Sequence, residues 1–217
     1  MISPRDVLFS DTNKSRIFQG QLMGKAKFIL ASKSPQRLDL LKQIHIIPDL
    51  VISPDISERQ QEDEDPDKFV LRLASEKALS VSKKHKNNII LAADTAVCCG
   101  TRVLEKTKNK TKAQKWLKLL SGRRHRVITG LCILDVNGKE HFRKVMTYVR
   151  FKRLTEKEIN AYIKTNEWVD RAGGYGIQGY ASSFVISIFG SYSNVVGLPL
   201  YDVMQLLNGL GYLVKRK

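Results

Sequence analysis

The sequence predicts an α/β protein in which helices flank a mixed, twisted β-sheet. An apolar run over residues 27–32 leads directly into a helix start signal, which is the strand-then-helix order of such folds. A second apolar run within 88–106 has the composition of a buried strand that leads into another strand. Two alternating segments joined through Asn137-Gly138 add an antiparallel hairpin, so the predicted sheet is mixed.

The composition is that of a globular protein with one substantial core. The chain has 217 residues, of which 42% are hydrophobic and 27% charged. No apolar stretch approaches the roughly 20 residues of a spanning helix, and the N-terminus lacks the apolar segment of a secretory signal. We therefore expect a cytoplasmic protein without a membrane partner. Residues 1–24 are polar and lack periodicity, which predicts an N-terminal extension before a single domain at 25–217.

Charge and cysteine content argue against two other classes of protein. The net charge of +16 attracts polyanions in general, but the basic residues are spread along the chain and no known nucleic-acid motif accompanies them. We therefore favour a lysine-rich solvated surface over a specific nucleic-acid site. Cys98, Cys99 and Cys132 lack the spacing of a zinc site and are expected to be small core residues in a reducing compartment.

The first strand and helix form a candidate phosphate site. Ser34 stands at the N-cap position and Pro35 at the first helical position. A strand that feeds a helix N-terminus brings free backbone N–H groups together with the hydroxyls of Ser32 and Ser34 and the guanidinium of Arg37. The alternative is an ordinary strand-to-helix corner.

The second helix is predicted over 67–81, after an acidic loop that includes Glu58. Its apolar residues form one stripe, namely Val70, Leu73, Ala74, Ala78 and Val81. Lys77 falls within that stripe. It is expected either to extend its ammonium group to the rim of the core or to point into a cleft that binds phosphates.

Asp94 interrupts the central apolar run, with Thr95 directly after it. Burying an unpartnered carboxylate is costly. We therefore expect Asp94 to lie at an open strand end facing a cation or donors, or to belong to a buried ion pair. Because perturbed carboxylates concentrate in clefts, we favour a functional site.

The remaining elements are predicted as scaffold. They are a helix capped by Asn109 and ended by Gly122, strands at 131–136 and 146–151, a helix opened by the capping box of Thr155 and Glu158, and a last helix after Pro199. His125 is a candidate catalytic base, but we favour a structural role. Residues 174–179 fit GxGxxG, yet a strand-like run follows where a dinucleotide site needs a helix, so we expect a ligand-approaching loop.

Taken together, the motifs resemble the Maf family. The similar segments are LASKSPQRLDLL, DISE, ASEKALSV, LAADTAV, DRAGGYGIQGYASSFV and NVVGLP. They occur in the family's order between Lys27 and Leu207.

The resemblance implies a fold of two lobes around a cleft, as in ITPase-like proteins, a homodimer, and hydrolysis of a nucleoside triphosphate between its α and β phosphates. It implies a Mg²⁺ or Mn²⁺ cofactor held by Glu58 and Asp94. It further implies that Asp94 activates water and that Lys77 and Lys106 stabilise the phosphates. The implied substrate-binding residues are Ser32, Ser34, Gln36, Arg37, Thr95 and Gln178.

Substrate choice is less determined by the resemblance. Thr95 and Gln178 match members similar to dTTP/UTP pyrophosphatases, so we expect dTTP and UTP as substrates, with modified pyrimidine nucleotides as a further option, whereas Gln36 matches neither subgroup. Ser57 and Thr107 also depart from the family pattern. Two alternatives stay open: a 7-methyl-GTP pyrophosphatase, and a catalytically weakened regulator of cell division that binds nucleotides or nucleic acid.

Overall fold

A computed structural model describes residues 26–212 and is built on a seven-stranded mixed sheet. The strands are β1 (Phe28–Ala31), β2 (Leu50–Ile52), β3 (Ile89–Cys99), β4 (Arg102–Leu104), β5 (Arg124–Leu134), β6 (Glu140–Phe151) and β7 (Val185–Phe189). The α-helices are α1 (Pro35–Gln43), α2 (Pro66–Ser82), α3 (Lys110–Leu120), α4 (Glu156–Lys164), α5 (Tyr192–Val196) and α6 (Leu200–Gly209). The predicted fold class, a mixed sheet flanked by helices, is confirmed. The expected extension at 1–24 lies outside the described residues.

The sheet has a parallel half and an antiparallel half. Its order is β2-β1-β3-β5-β6-β7, with β4 paired to β3. β1 runs parallel to β2 and β3, while the pairs β3–β5, β5–β6 and β6–β7 are antiparallel. The four residues of β1 are fully buried, as expected for a parallel strand covered on both faces. No helix among residues 26–212 is long and apolar enough to cross a membrane.

The central strand is longer than the sequence predicted. Asp94 and Thr95 do not end a strand but lie in the middle of β3, where Asp94 pairs with Gly130 and Thr95 with Thr129 of β5. The apolar run 96–99, predicted as a second strand, continues the same strand β3, and β4 follows the turn at Gly100. The expectation of an open strand end at Asp94 is therefore wrong, and the alternative of a buried ion pair holds.

Several local signals are confirmed at the ends of elements. The side chain of Asn109 accepts a hydrogen bond from the backbone of Lys112, and the capping box of Thr155 and Glu158 is complete. Gly122 has a φ of 71° after α3. The predicted strand 146–151 lies within the longer β6, and the predicted strand 131–136 overlaps β5, which ends at Leu134; the two strands are joined through the Asn137-Gly138 turn. Residues 174–179 precede a 3₁₀ helix and β7, so they are not a dinucleotide fingerprint.

Helices cover both faces of the sheet. α2 packs on one face, with Phe69, Val70 and Leu73 against Ile128 of β5. Gly130 allows this approach, because a Cβ atom there would lie 2.4 Å from the carbonyl oxygen of Val70. The other face is covered by α1 and α6 over β1, β3 and β5, and by α3 and α4 over the other end of the sheet.

Candidate functional site

A pocket of about 890 Å³ opens beside the middle of β3. One side is formed by the start of α1 and by the loop that carries Glu58, and the opposite side by residues 167–179. Thr95 and Val97 of β3 and residues 195–197 also line it. Pockets of several hundred Å³ are the usual size for small-molecule sites.

A lysine lies between two carboxylates at this pocket. Lys77 of α2 is 2% exposed, and its Nζ lies 2.5 Å from Oδ1 of Asp94 and 2.7 Å from Oε1 of Glu58. The close packing of α2 on the sheet brings Lys77 to β3, so the lysine does not extend to solvent. Since both partners are anionic, the buried ammonium has the compensating charge that burial requires.

A second lysine extends this cluster towards solvent. Nζ of Lys106 lies 3.0 Å from Oε2 of Glu58, whose side chain is 40% exposed. Burial by itself raises the pKa of Glu58, but Lys77 and Lys106 outweigh that effect and lower it to about 2. Glu58 is therefore ionised throughout the neutral range. The four side chains, Lys77, Lys106, Glu58 and Asp94, form a continuous chain of alternating charge, which we call the charge cluster.

Arg37 is held rigidly on the neighbouring wall. Its Nε donates to the carbonyl oxygen of Gly197 at 2.8 Å, and its terminal nitrogens approach Oγ of Ser32 at 3.4 Å and Oγ1 of Thr95 at 3.3 Å. Thr95 in turn lies 2.9 Å from Oγ1 of Thr129. Burial lowers the pKa of Arg37, although the charges of Asp94 and Glu58 act in the opposite direction. The guanidinium has five N–H donors, so donors remain for an anion.

The start of α1 has the geometry of an anion site. Ser34 occupies the N-cap position, yet its hydroxyl donates to Oε1 of Gln36 at 3.0 Å and caps no backbone N–H of the helix. Oγ of Ser32 accepts a hydrogen bond from the backbone of Ser34 at 3.1 Å. Pro35 has no N–H, so the N–H groups of Gln36 and Arg37 are the first in α1, and no side chain caps them. They can bind an anionic group.

Gln178 lies on the opposite wall and is exposed to the pocket. Its loop is fixed by Glu167, whose Oε2 accepts a hydrogen bond from the backbone of Tyr180 at 2.7 Å. A Cβ atom at Gly179 would lie 2.0 Å from that same oxygen, so glycine is required for the carboxylate to reach the loop. The hydrogen bond of Glu167 therefore helps to fix the position of the loop that carries Gln178.

His125 lies in the core behind the pocket. It is 2% exposed, and its Nε2 is 2.8 Å from the hydroxyl of Tyr175. Its ring packs edge-on against Phe151, with the centroids 5.0 Å apart. Burial lowers the pKa of His125 to about 4, so the ring is neutral at physiological pH. This is the structural role that we favoured from the sequence.

The predicted residues divide into two groups across the pocket. Those brought together on one side are Ser32, Ser34, Gln36, Arg37, Glu58, Lys77, Asp94, Thr95 and Lys106. Gln178 stands apart on the opposite wall. Sequence reasoning missed Thr129, Gly197 and Glu167. Glu167 precedes the glycine motif closely enough to have been considered, whereas Thr129 and Gly197 reach the site only through strand register and chain folding.

The donor set fits a hard divalent cation that is shared with a ligand. Carboxylate oxygens of Glu58 and Asp94 contact the same nitrogen of Lys77, so they converge on one small region. Within residues 26–212, no group of three or more His, Cys, Asp or Glu side chains is arranged to hold a metal alone. Mg²⁺ is commonly held by one or two carboxylates together with substrate phosphates, which is the arrangement these residues permit.

Fold and site together define an α/β protein that handles a phosphorylated ligand. The free N-terminus of α1 and Arg37 are suited to phosphate oxygens, and the charge cluster places ionised carboxylates beside them. The family comparison agrees: the model of the Maf-like proteins matches residues 27–210, and the chain belongs to the Maf family.

Similar proteins cover almost the whole described region. A dTTP/UTP pyrophosphatase from Hyphomonas neptunium is 50% identical over 189 residues, which is 87% of this chain and 98% of the relative. A dTTP/UTP pyrophosphatase from Paramagnetospirillum magneticum is 48% identical, over 86% of this chain and 98% of the relative. A nucleoside triphosphate pyrophosphatase from Ehrlichia canis is 46% identical, over 83% and 94%. Among solved structures, the HAM1 protein from Coxiella burnetii overlaps 59% of this chain and 74% of its own, with a TM-score of 0.41 at 16% identity.

Proposed function

We propose that the protein is a nucleoside triphosphate pyrophosphatase that hydrolyses dTTP and UTP to the monophosphate and pyrophosphate. The observation that carries this proposal is the charge cluster next to Arg37 and the free N-terminus of α1. The names of the relatives from Hyphomonas and Paramagnetospirillum support the same activity and substrates. A homodimer and a cytoplasmic location stay predictions.

In the proposed reaction, Asp94 accepts a proton from a water molecule that attacks the α phosphorus. The new bond joins the water oxygen to the α phosphorus, and the bond to the α–β bridging oxygen breaks. The electron pair leaves with pyrophosphate, and Asp94 later releases its proton to solvent. Lys77 holds Asp94 by a 2.5 Å contact, which fixes the direction of the carboxylate before the substrate arrives.

The cationic side chains stabilise the charge that moves to the phosphates. Arg37 is buried and anchored, so its position costs no reorganisation during the reaction. Lys106 is the more exposed of the two lysines, and we assign it to neutralising the charge of the leaving pyrophosphate. Glu58 and Asp94 would hold a Mg²⁺ or Mn²⁺ ion, which supplies Lewis-acid polarisation of phosphate oxygens when bound.

Base selection is assigned to Gln178 and Thr95, which both line the pocket. Gln178 offers an amide that both donates and accepts hydrogen bonds, which suits the edge of a pyrimidine. Thr95 lies between Arg37 and Thr129 and lines the pocket from β3. Gln36 has no charge, and its side chain is bonded to Ser34, so we assign it to positioning of the helix start.

The test is pyrophosphate release by the purified protein with dTTP, UTP, CTP, GTP and 7-methyl-GTP, each in Mg²⁺, Mn²⁺ or EDTA. We expect metal-dependent turnover of dTTP and UTP. Asp94→Asn is isosteric and removes the base, so its turnover should fall by about 10²–10⁴-fold. Asp39→Asn, on the exposed face of α1, is the matched control and should keep wild-type turnover.

Other outcomes would overturn distinct parts of the proposal. Near-normal turnover in Asp94→Asn contradicts the assignment of the base. Preferred hydrolysis of 7-methyl-GTP contradicts the substrate. If the folded protein binds nucleotides but releases no pyrophosphate, the enzyme proposal is wrong and the alternative of a binding regulator holds.

A further inference from the structure

The sheet face that α2 covers continues beyond the helix and becomes open. Under α2, Ile128 of β5 is fully buried, and so is Cys98 of β3, which lies opposite Arg126. The next cross-strand row contains Arg126, Tyr148 and Phe189, which are directly opposite one another on β5, β6 and β7. The following row pairs Arg124 with Arg150. We call these five residues the arginine face, and none of them lines the pocket described above.

The arginine face has an unbalanced positive charge. Arg124 and Arg150 are exposed and directly opposite each other, and like charges in that position destabilise a sheet. Among the described residues, neither they nor Arg126 forms an ion pair. Two carboxylates act on Cys98, which lies opposite Arg126: Asp67 is paired with Lys144, and Asp65 caps the start of α2. The fold therefore keeps a repulsive arrangement that an external anion would relieve.

Flat groups accompany these charges. The guanidinium of Arg124 lies 4.7 Å from the ring centroid of Tyr148, which is the geometry of a cation–π contact. The contact holds the planar guanidinium against the ring. Phe189 is 80% exposed, the highest value among the exposed large hydrophobic residues of the described chain. Arg126 is fixed by donating to the carbonyl oxygen of Gly100 at 2.8 Å.

Two chemistries are thus presented on one surface: guanidinium groups for phosphates, and planar groups on which rings stack. Single-stranded nucleic acid needs both, since its backbone is neutralised by arginine and its unpaired bases stack on aromatic or guanidinium planes. A duplex hides its bases from such a flat surface. We propose that the arginine face binds single-stranded nucleic acid without sequence preference, independently of the pocket.

The probe is a fluorescent single strand of about 20 nucleotides, titrated with the full-length protein at several salt concentrations and read by anisotropy. In Arg124→Gln/Arg150→Gln, affinity at low salt should fall at least about tenfold, and the slope of log K against log salt should shrink by about 1.4. The matched control is Lys83→Gln/Lys84→Gln, which removes two exposed charges after α2 and should leave the slope within about 0.3 of wild type.

Two further variants separate charge from stacking. Arg124→Lys/Arg150→Lys keeps the charge, so the salt slope should be retained while affinity still falls, because lysine cannot stack. Phe189→Ala should weaken binding without changing the slope. All variants should release pyrophosphate from dTTP at the wild-type rate, which separates failure of this proposal from failure of the proposed enzyme.

The proposal is wrong if the control pair weakens binding as much as the arginine pair, since the interaction is then net charge alone. It is also wrong if the duplex of the same sequence binds as tightly as the single strand. Binding to vesicles of phosphatidylcholine and phosphatidylglycerol that depends on Arg124 and Phe189, without binding to the single strand, would assign the face to an anionic membrane instead.

Discussion

At the scale of single residues, two buried ionisable side chains, Lys77 and His125, lie in different surroundings. Lys77 is buried as a cation because Asp94 and Glu58 surround it. His125 is buried among aromatic rings, with Tyr175 as its hydrogen-bond partner and no carboxylate in contact. Burial without a carboxylate partner therefore favours the neutral form of His125.

The buried histidine makes stability depend on pH. The pKa of His125 is about 4 in the folded state and near 6.5 when the chain is unfolded. Between these values the unfolded state binds more protons, so the free energy of unfolding falls as pH decreases from about 6.5 to about 4, by up to ~3 kcal/mol. Urea denaturation at a series of pH values measures this decrease in the free energy of unfolding.

His125→Gln is the comparison for that experiment. It keeps a group able to bond the hydroxyl of Tyr175 but does not titrate, and the difference between the two proteins cancels the carboxylates that also titrate near pH 4. Equal loss of stability in both proteins over this range would contradict the assignment to His125.

At the scale of elements, the contact between α2 and β5 connects stability to the site. Gly130 permits close backbone contact with Val70. Two turns further along α2, the same helix places Lys77 against Asp94. Whatever moves α2 away from the sheet also moves Lys77.

Gly130→Ala tests this connection. The added methyl group meets the backbone of Val70, which cannot rotate away as a side chain could, so we expect a loss of about 3 kcal/mol in the free energy of unfolding. We also expect lower turnover of dTTP in the protein that remains folded. Chemical denaturation and pyrophosphate release are the two measurements.

Gly209→Ala, at the end of α6, is the control, because a Cβ atom there meets nothing within 4 Å. It should be neutral or slightly stabilising, as expected for alanine in a helix. A Gly130→Ala protein as stable and as active as Gly209→Ala would show that α2 can move without consequence.

Local signals predicted most elements, and long-range pairing explains the rest. The corner before α1, the turn at Gly138 and the capping box at Thr155 are each specified by adjacent residues, so their predictions were confirmed. The continuity of β3 through Asp94 was not predictable locally, because the carboxylate is tolerated only through Lys77, 17 positions earlier in the chain.

The residues of the site divide in the same way into those that local motifs predicted and those that only long-range contacts bring in. The motif resemblance named Arg37, Glu58 and Lys106 as members of one site, and the structure places them at one pocket. The contact of Thr129 with Thr95 follows from strand register, and that of Gly197 with Arg37 joins residues 160 positions apart. No local sequence pattern predicts either contact.

At the scale of the whole molecule, net charge dominates. The chain has 37 lysine and arginine residues against 21 aspartate and glutamate residues. Such an excess repels itself in the compact state, and the repulsion weakens when salt shortens the screening distance.

We therefore expect the Tm to rise as NaCl increases from about 0.01 M to about 0.1 M, over which the screening length falls from about 30 Å to about 10 Å. Scanning calorimetry measures the change. Lys83→Glu/Lys84→Glu lowers the net charge at exposed positions and should show a smaller rise. A Tm that falls with added salt would mean that attractive ion pairs outweigh the repulsion.

Lys77, which lies between two carboxylates, also affects whether the protein stays folded when no divalent ion is bound. A site made of carboxylates alone would repel itself when empty and would need a bound cation in order to stay folded. Here Asp94 and Glu58 are neutralised by an ammonium group that belongs to the chain. Folding would thereby not require divalent ions, so under the proposed function their removal would stop the reaction while the protein stays folded.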